Sequence, residues 1–160
     1  MISGFAPIIA KQPKVLIVGS MPSITSLEKQ EYYGFKHNRF WKMMAAYFKC
    51  EFTTYEDKKQ CILDHHLILW DVIKNCEREG SLDSAIRDVE CNDIEGLLKQ
   101  HPTIKYVICN GKKSYTLFMK HFKHLDVEVY SMPSTSNANR TISEKALFQQ
   151  WFDVFDACFK

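Results

Sequence analysis

No stretch of the sequence is long and apolar enough to cross a membrane. The N-terminal segment MISGFAPIIAKQPK has too short an apolar run, and no basic stretch before it, to serve as a secretory signal. The expectation is a cytoplasmic protein. Net charge is also nearly absent, at +2, so composition alone does not declare a nucleic-acid binder, although one face can be basic while the total is balanced. The six cysteines form no C-x-x-C pair with metal-site spacing, which argues against a zinc or iron–sulfur site. No cofactor and no metal are expected. Glycine and proline are scarce, at six and five residues, and no glycine-rich phosphate fingerprint occurs. There is no internal repeat, low-complexity tract or linker, and 160 residues are enough for one core. The expectation is a single domain spanning residues 1–160.

Within that frame, short β-branched runs cover residues 14–18, 67–70, 105–109 and 127–130. Each is mostly apolar, as suits strands covered on both faces of a parallel sheet. Helical patterns lie between them, over 40–48, 56–63, 93–99, 114–122 and 146–159, with Ser143 placed to cap the last. Strands alternating with helices predict an α/β fold, a three-layer α/β/α sandwich around a four-stranded parallel sheet. Ligands in such folds sit beyond the carboxyl ends of the strands.

The unusual loops fall at those ends. The first strand leads into Gly19-Ser20-Met21-Pro22-Ser23, and the last into Ser131-Met132-Pro133-Ser134-Thr135-Ser136-Asn137-Ala138-Asn139-Arg140. Both are stiffened by proline, and the second is rich in hydroxyls and amides and ends in an arginine. Such groups commonly contact phosphates. The reading without function is two proline-punctuated turns that cap helices. Tyr32-Tyr33-Gly34-Phe35-Lys36-His37-Asn38-Arg39-Phe40-Trp41 interleaves aromatic and basic residues, as base-stacking surfaces do. The plainer reading makes Asn38 a helix cap and Phe40 and Trp41 core residues. Asn110-Gly111 at the end of the third strand offers either a simple turn or an amide able to read a base edge. Asp71 could cap a turn, pair with an arginine or face the pocket. Arg78 to Asp83 reads as a structural turn with internal pairing. His65 and His66 read as surface or loop residues.

Taken in order, Gly19-Ser20-Met21-Pro22-Ser23, Tyr32-Tyr33, Asn38-Arg39-Phe40-Trp41, Leu69-Trp70-Asp71-Val72, Arg78 with Gly80-Ser81-Leu82-Asp83, Asn110-Gly111 and Pro133-Ser134-Thr135-Ser136 resemble the uracil-DNA glycosylase superfamily, and within it the hypoxanthine-DNA glycosylase branch. The resemblance implies a cofactor-free enzyme that hydrolyses the bond between a deaminated base and deoxyribose in DNA. Double-stranded DNA is the implied partner, with single-stranded DNA a further candidate, and the protein is expected to act as a monomer away from membranes. Uracil-specific members of the superfamily carry a water-activating Asp or Asn in the first loop and many carry a histidine in the last. This chain has Ser20 and Met21 in the first and Pro-Ser-Thr-Ser in the last, which argues against efficient uracil removal. The resemblance moves the catalytic amide to Asn38. It assigns base binding to Asn110, Tyr33, Phe40, Ser20 and Met21, and DNA binding to Ser23, Ser134, Thr135, Ser136, Asn137 and Arg140. A mismatch-specific uracil or thymine glycosylase, a non-catalytic nucleic-acid-binding module on the same scaffold, and an enzyme for small phosphorylated metabolites are the competing readings.

Overall fold

The apolar runs of the sequence form strands with no exposed face. In the computed structural model, which describes residues 1–160, β3 (Val15–Gly19) is buried throughout. Beside it, β4 (Leu67–Asp71) and β7 (Tyr106–Asn110) are nearly so. They pair in parallel, and β8 (Glu128–Met132) extends the sheet beyond β7. A fifth strand, β2 (Ile8–Ile9), adds to the far edge antiparallel to β4, so the order is β2-β4-β3-β7-β8. The expected four parallel strands are present, but the sheet has five. A two-residue strand carries no periodicity, which is why β2 left no trace in the sequence pattern. A separate three-stranded antiparallel sheet joins β1 (Ile2–Ser3), β5 (Ile73–Glu77) and β6 (Arg87–Cys91).

Alternation along the strands splits the core in two. Val15, Ile17, Leu67, Leu69 and Ile108 point to one side, where they pack against α2 (Phe40–Phe48), α3 (Tyr55–Asp64) and α6 (Glu144–Phe159). Leu16, Val18, Ile68, Val107 and Cys109 point to the other, against α4 (Ile94–Gln100), α5 (Lys112–Phe122) and the small sheet. Helices therefore cover both faces, as alternating elements require. The caps follow side-chain chemistry: Ser143 accepts from the Ala146 amide at α6, and Ser23 accepts from the Ser26 amide at α1 (Ile24–Lys29). No helix is long and apolar enough to cross a membrane.

The chain runs from β3 outward to β4, then returns to place β7 on the other side of β3. That reversal opens a crevice at the carboxyl ends of β3, β4 and β7. Two truncations separate core from surface. Phe155→Ala, at a fully buried position in α6, should lower the unfolding free energy by about 3–5 kcal/mol in urea titration. Leu63→Ala, 40% exposed on α3, should change it by less than about 0.5 kcal/mol.

Candidate active site

A cavity of about 570 Å³ occupies that crevice, within the size range of small-ligand sites. Its walls are the loops after β3 and β8, the ends of β4 and β7, α1, and the loop after β5. Of the residues assigned from the sequence, Ser20, Met21, Ser23, Tyr33, Asn38, Asn110, Ser134, Thr135, Ser136 and Asn137 border it. Phe40 and Arg140 do not.

The organising feature is a chain of side-chain hydrogen bonds. Asn110, on β7, donates through Nδ2 to the Tyr33 hydroxyl (3.1 Å) and to Thr135 Oγ1 (3.0 Å). Its Oδ1 accepts from the Thr135 amide at 3.0 Å. Thr135 Oγ1 then donates to Asn38 Oδ1 at 2.9 Å, and the Phe40 amide donates to the same oxygen at 2.9 Å. Each link is worth about 1 kcal/mol net, but removing one strands a buried partner at a cost of about 1–3 kcal/mol. Asn38 Oδ1 thus takes two donors from the protein, which leaves its Nδ2 for a ligand.

The geometry places several of the residues assigned from the sequence in particular settings. Asn110 has both amide hydrogens committed inside the protein, so it cannot offer a base a donor and an acceptor together. It positions Tyr33 and Thr135 instead. Thr135 is wholly buried, with its amide and hydroxyl both in use, and it bridges Asn110 and Asn38. Phe40 is also wholly buried. Tyr33 stacks on it, with ring centroids 4.1 Å apart and planes 26° from parallel, and it is Tyr33 that borders the cavity. Arg140 is exposed outside the cavity, on the loop that borders it. Ser20 lies in the wall, but its hydroxyl donates to Asp83 Oδ1 at 2.6 Å.

Arginines hold the loops. Arg39, which reads in sequence as part of a basic-aromatic surface, turns inward. Its Nη1 donates to the Ile142 carbonyl, and its Nη2 to those of Ser136 and Asn139, at 3.1–3.2 Å. Its own amide donates to the Thr135 carbonyl at 3.0 Å. One side chain thereby fixes the shape of the last loop. Arg78 does the same for the first loop, donating to the carbonyls of Pro22 (2.7 Å) and Gly80 (2.8 Å). The Arg78–Asp83 turn is therefore structural, as expected, but it also latches onto the first loop and supplies Ser81, Leu82, Asp83 and Ser84 to the cavity wall. Gly80-Ser81-Leu82-Asp83 belongs to the family resemblance, but residue spacing does not place it at the wall, because that depends on where the small sheet docks.

Asp71 ends β4 at the cavity floor and is 4% exposed, with no hydrogen-bond partner on Oδ2. Burial, reinforced by the charge of Asp83 and opposed by Arg78, pushes its carboxyl up to about 7. Burial chiefly, with the Asp71 charge second, raises the Tyr33 hydroxyl well above its ordinary value, so the phenol stays neutral. A Cβ on Gly19 would stand 2.6 Å from Asp71 Oδ1 and 3.0 Å from the Tyr33 hydroxyl oxygen, so only glycine lets the first loop leave β3 here.

One group of metal-capable side chains exists elsewhere. Cys50, Cys61 and His65 bring their ligand atoms within 4.8 Å of one another, a juxtaposition that spacing along the chain did not reveal. His65 Nδ1 faces the Cys61 carbonyl oxygen at 2.7 Å, where it must donate, so that nitrogen is not free to ligate. The trio adjoins the start of β4, opposite the cavity.

Fold and site together define an α/β protein with a ligand cavity at a strand-order reversal, lined by amides, hydroxyls, an aromatic ring and a buried acid. A sequence profile of the uracil DNA glycosylase superfamily matches residues 6–156. The chain belongs to that superfamily. It is 36% identical over 154 residues to a hypoxanthine DNA glycosylase of Methanosarcina acetivorans, covering 95% of this chain and 96% of that one. A hypoxanthine DNA glycosylase of Methanosarcina barkeri is 32% identical over the same shares. A solution NMR structure of a protein from M. acetivorans, provisionally described as a uracil DNA glycosylase, superposes with a TM-score of 0.86 at 33% identity. It covers 99% of this chain and 98% of that one.

Two outcomes follow. Gly19→Ala should drive a methyl into Asp71 and Tyr33 and lower Tm by at least about 3 °C in a thermal melt. The buried Asp71 contributes stability while neutral. That contribution is full below the ordinary carboxylate range and is lost as pH rises through about 7. Asp71→Asn should therefore raise Tm more at pH 8 than at pH 5, as read by calorimetry at the two pH values.

Proposed function

We propose that this protein is a DNA glycosylase that hydrolyses the N-glycosidic bond of a deaminated base in double-stranded DNA, with hypoxanthine as its base, working as a single-domain monomer in the cytoplasm. The observation that carries the reading is Asn38. Its amide borders the cavity with Nδ2 uncommitted, in a chain whose relatives at 36% and 32% identity bear the name hypoxanthine DNA glycosylase.

The base must leave the helix before its glycosidic bond can be reached. Extrusion costs a few kcal/mol, and least for a poorly paired base such as hypoxanthine. In this reading the hydroxyls of Ser134 and Ser136 and the amides around Ser23 hold phosphates. The segment Asn137 to Arg140 supports the strand opposite the vacated position. Tyr33, backed by Phe40 on one face, stacks its other face on the base, a contact worth ~1–3 kcal/mol.

Asn38 then orients a water at C1′. Rotation of the Thr135 hydroxyl would free one lone pair of Asn38 Oδ1 to accept from that water. As the C1′–N9 bond breaks, its electron pair goes to the base, which leaves as a stabilised anion. Water bonds to C1′ and its proton passes to solvent or to the departing base. An amide is a poor base, so the rate rests on orientation and on stabilising an oxocarbenium-like sugar.

Duplexes carrying deoxyinosine, deoxyuridine opposite guanine, deoxyxanthosine or a mismatched thymine, cleaved with alkali after incubation, test this. Scission at deoxyinosine is expected. Asn38→Ala should fold, bind DNA and lose about 100-fold or more of the rate. No scission at any base, or full activity in Asn38→Ala, would overturn the assignment.

A further inference from the structure

The mechanism above leaves two carboxyls of the cavity wall unused, and of these Asp83 already accepts from Ser20. Asp71 is 96% buried by its 4% exposure, borders the cavity, and keeps Oδ2 without a hydrogen-bond partner. Its backbone, by contrast, is tightly held, since Asn92 Nδ2 donates to the Asp71 carbonyl at 2.8 Å. A buried carboxyl without a donor is unfavourable in a finished protein interior. It is an ordinary feature of a ligand site, where the missing partner arrives with the ligand.

The groups facing Asp71 do not supply that partner. Arg78, from the loop after β5, commits Nε to Gly80 and Nη2 to Pro22; its Nη1 is buried without a hydrogen-bond partner, and its charge acts on Asp71 without a hydrogen bond between them. Asp83, from the turn that follows, is like-charged and already accepts from Ser20. The Tyr33 hydroxyl, beside the same Gly19, accepts from Asn110 and makes no hydrogen bond to Asp71 Oδ2. The Tyr32 hydroxyl donates away from it, to the Ala6 carbonyl at 2.8 Å. Asn110, the other candidate for reading a base, has its amide hydrogens spent.

We propose that Asp71 is the base-reading residue, presenting its unpartnered carboxyl to the lactam edge of the extruded base. The inference rests on the glycosylase reading above and names the group that recognises its substrate class. Deamination replaces an amino group and a ring acceptor by an exocyclic oxygen and a ring N–H. A neutral carboxyl carries the matching pair, with its O–H donating to the exocyclic oxygen and its C=O accepting from the ring N–H. An ionised carboxylate would still accept from the N–H but would oppose the exocyclic oxygen. Burial favours the neutral form, pushing the carboxyl up to about 7. Recognition should therefore weaken as pH rises through that value.

The test is hypoxanthine release from a deoxyinosine duplex under single-turnover conditions between pH 5.5 and 9, for the native chain, Asp71→Asn and Asp71→Leu. It is paired with binding of a duplex carrying 2′-fluoro-2′-deoxyinosine, which resists hydrolysis. The native chain should lose rate and affinity above about pH 7. Asp71→Asn, which keeps a donor and an acceptor but has no proton to lose, should be slower than the native chain at pH 6 yet lose the alkaline fall. Asp71→Leu should bind the fluoro duplex about 100-fold more weakly at every pH. An alkaline fall that persists in Asp71→Asn, or native-like binding by Asp71→Leu, would overturn the inference. Absence of hypoxanthine release by the native chain would instead sink the glycosylase reading, while the fluoro-duplex binding would still decide the role of Asp71. Should Asp71→Leu fail to fold, the near-isosteric Asp71→Asn decides alone through its pH profile.

Discussion

Thr135 has no exposed surface, and the arrangement of the cavity depends on what it bonds. It joins the end of β7 to the segment before α2, taking a hydrogen bond from Asn110 and passing one to Asn38. Through Asn110 the same chain reaches the Tyr33 hydroxyl. Amides and hydroxyls have no preferred place of their own in a loop. Here Asn110 and Thr135 are held by the bonds they make to one another, to Tyr33 and to Asn38. The Nδ2 of Asn38 and Oδ2 of Asp71 have no such partner, and both residues border the cavity.

The scaffold that allows this is the strand order. Because the chain reverses across β3, the ends of β4 and β7 flank the exit of the first loop, and Asp71, Gly19 and Asn110 meet at one floor. The loops above that floor are held by arginine. Arg39 donates to three carbonyls of the last loop and its border, and Arg78 ties the first loop to the turn after β5. Guanidinium suits this work, since its several donors satisfy backbone acceptors that a loop cannot pair internally.

The parallel strands were legible because residues such as Leu16, Ile17 and Ile68 are buried on whichever face they point to, leaving uninterrupted apolar runs. The two-residue strands at Ile2 and Ile8 were not, because they exist only through partners far along the chain. The polar site residues were visible as types but not as roles. Asn38, Tyr33 and the serines do gather at one cavity. Which amides are bonded inside the protein depends on tertiary hydrogen bonds, and Asn110 and Thr135, which read as ligand contacts, are bonded to one another and to Tyr33 and Asn38. Arg39 read as one residue of a basic-aromatic run, and its guanidinium is bonded to carbonyls of the last loop. Phe40 read as a stacking surface when the ring at the cavity is the Tyr33 packed against it. Asp71 had three readings, and only its packing, buried and unpaired at the floor, distinguishes them.

In the proposed function, an extruded deaminated base enters the cavity at the strand ends, beside Asn38 and above Asp71. A crystal structure of the protein with a duplex carrying 2′-fluoro-2′-deoxyinosine tests this most directly. The hypoxanthine ring should lie out of the helix and against Tyr33, with C1′ within reach of a water on Asn38. A base that stays stacked in the duplex, or that docks anywhere but this cavity, would contradict it.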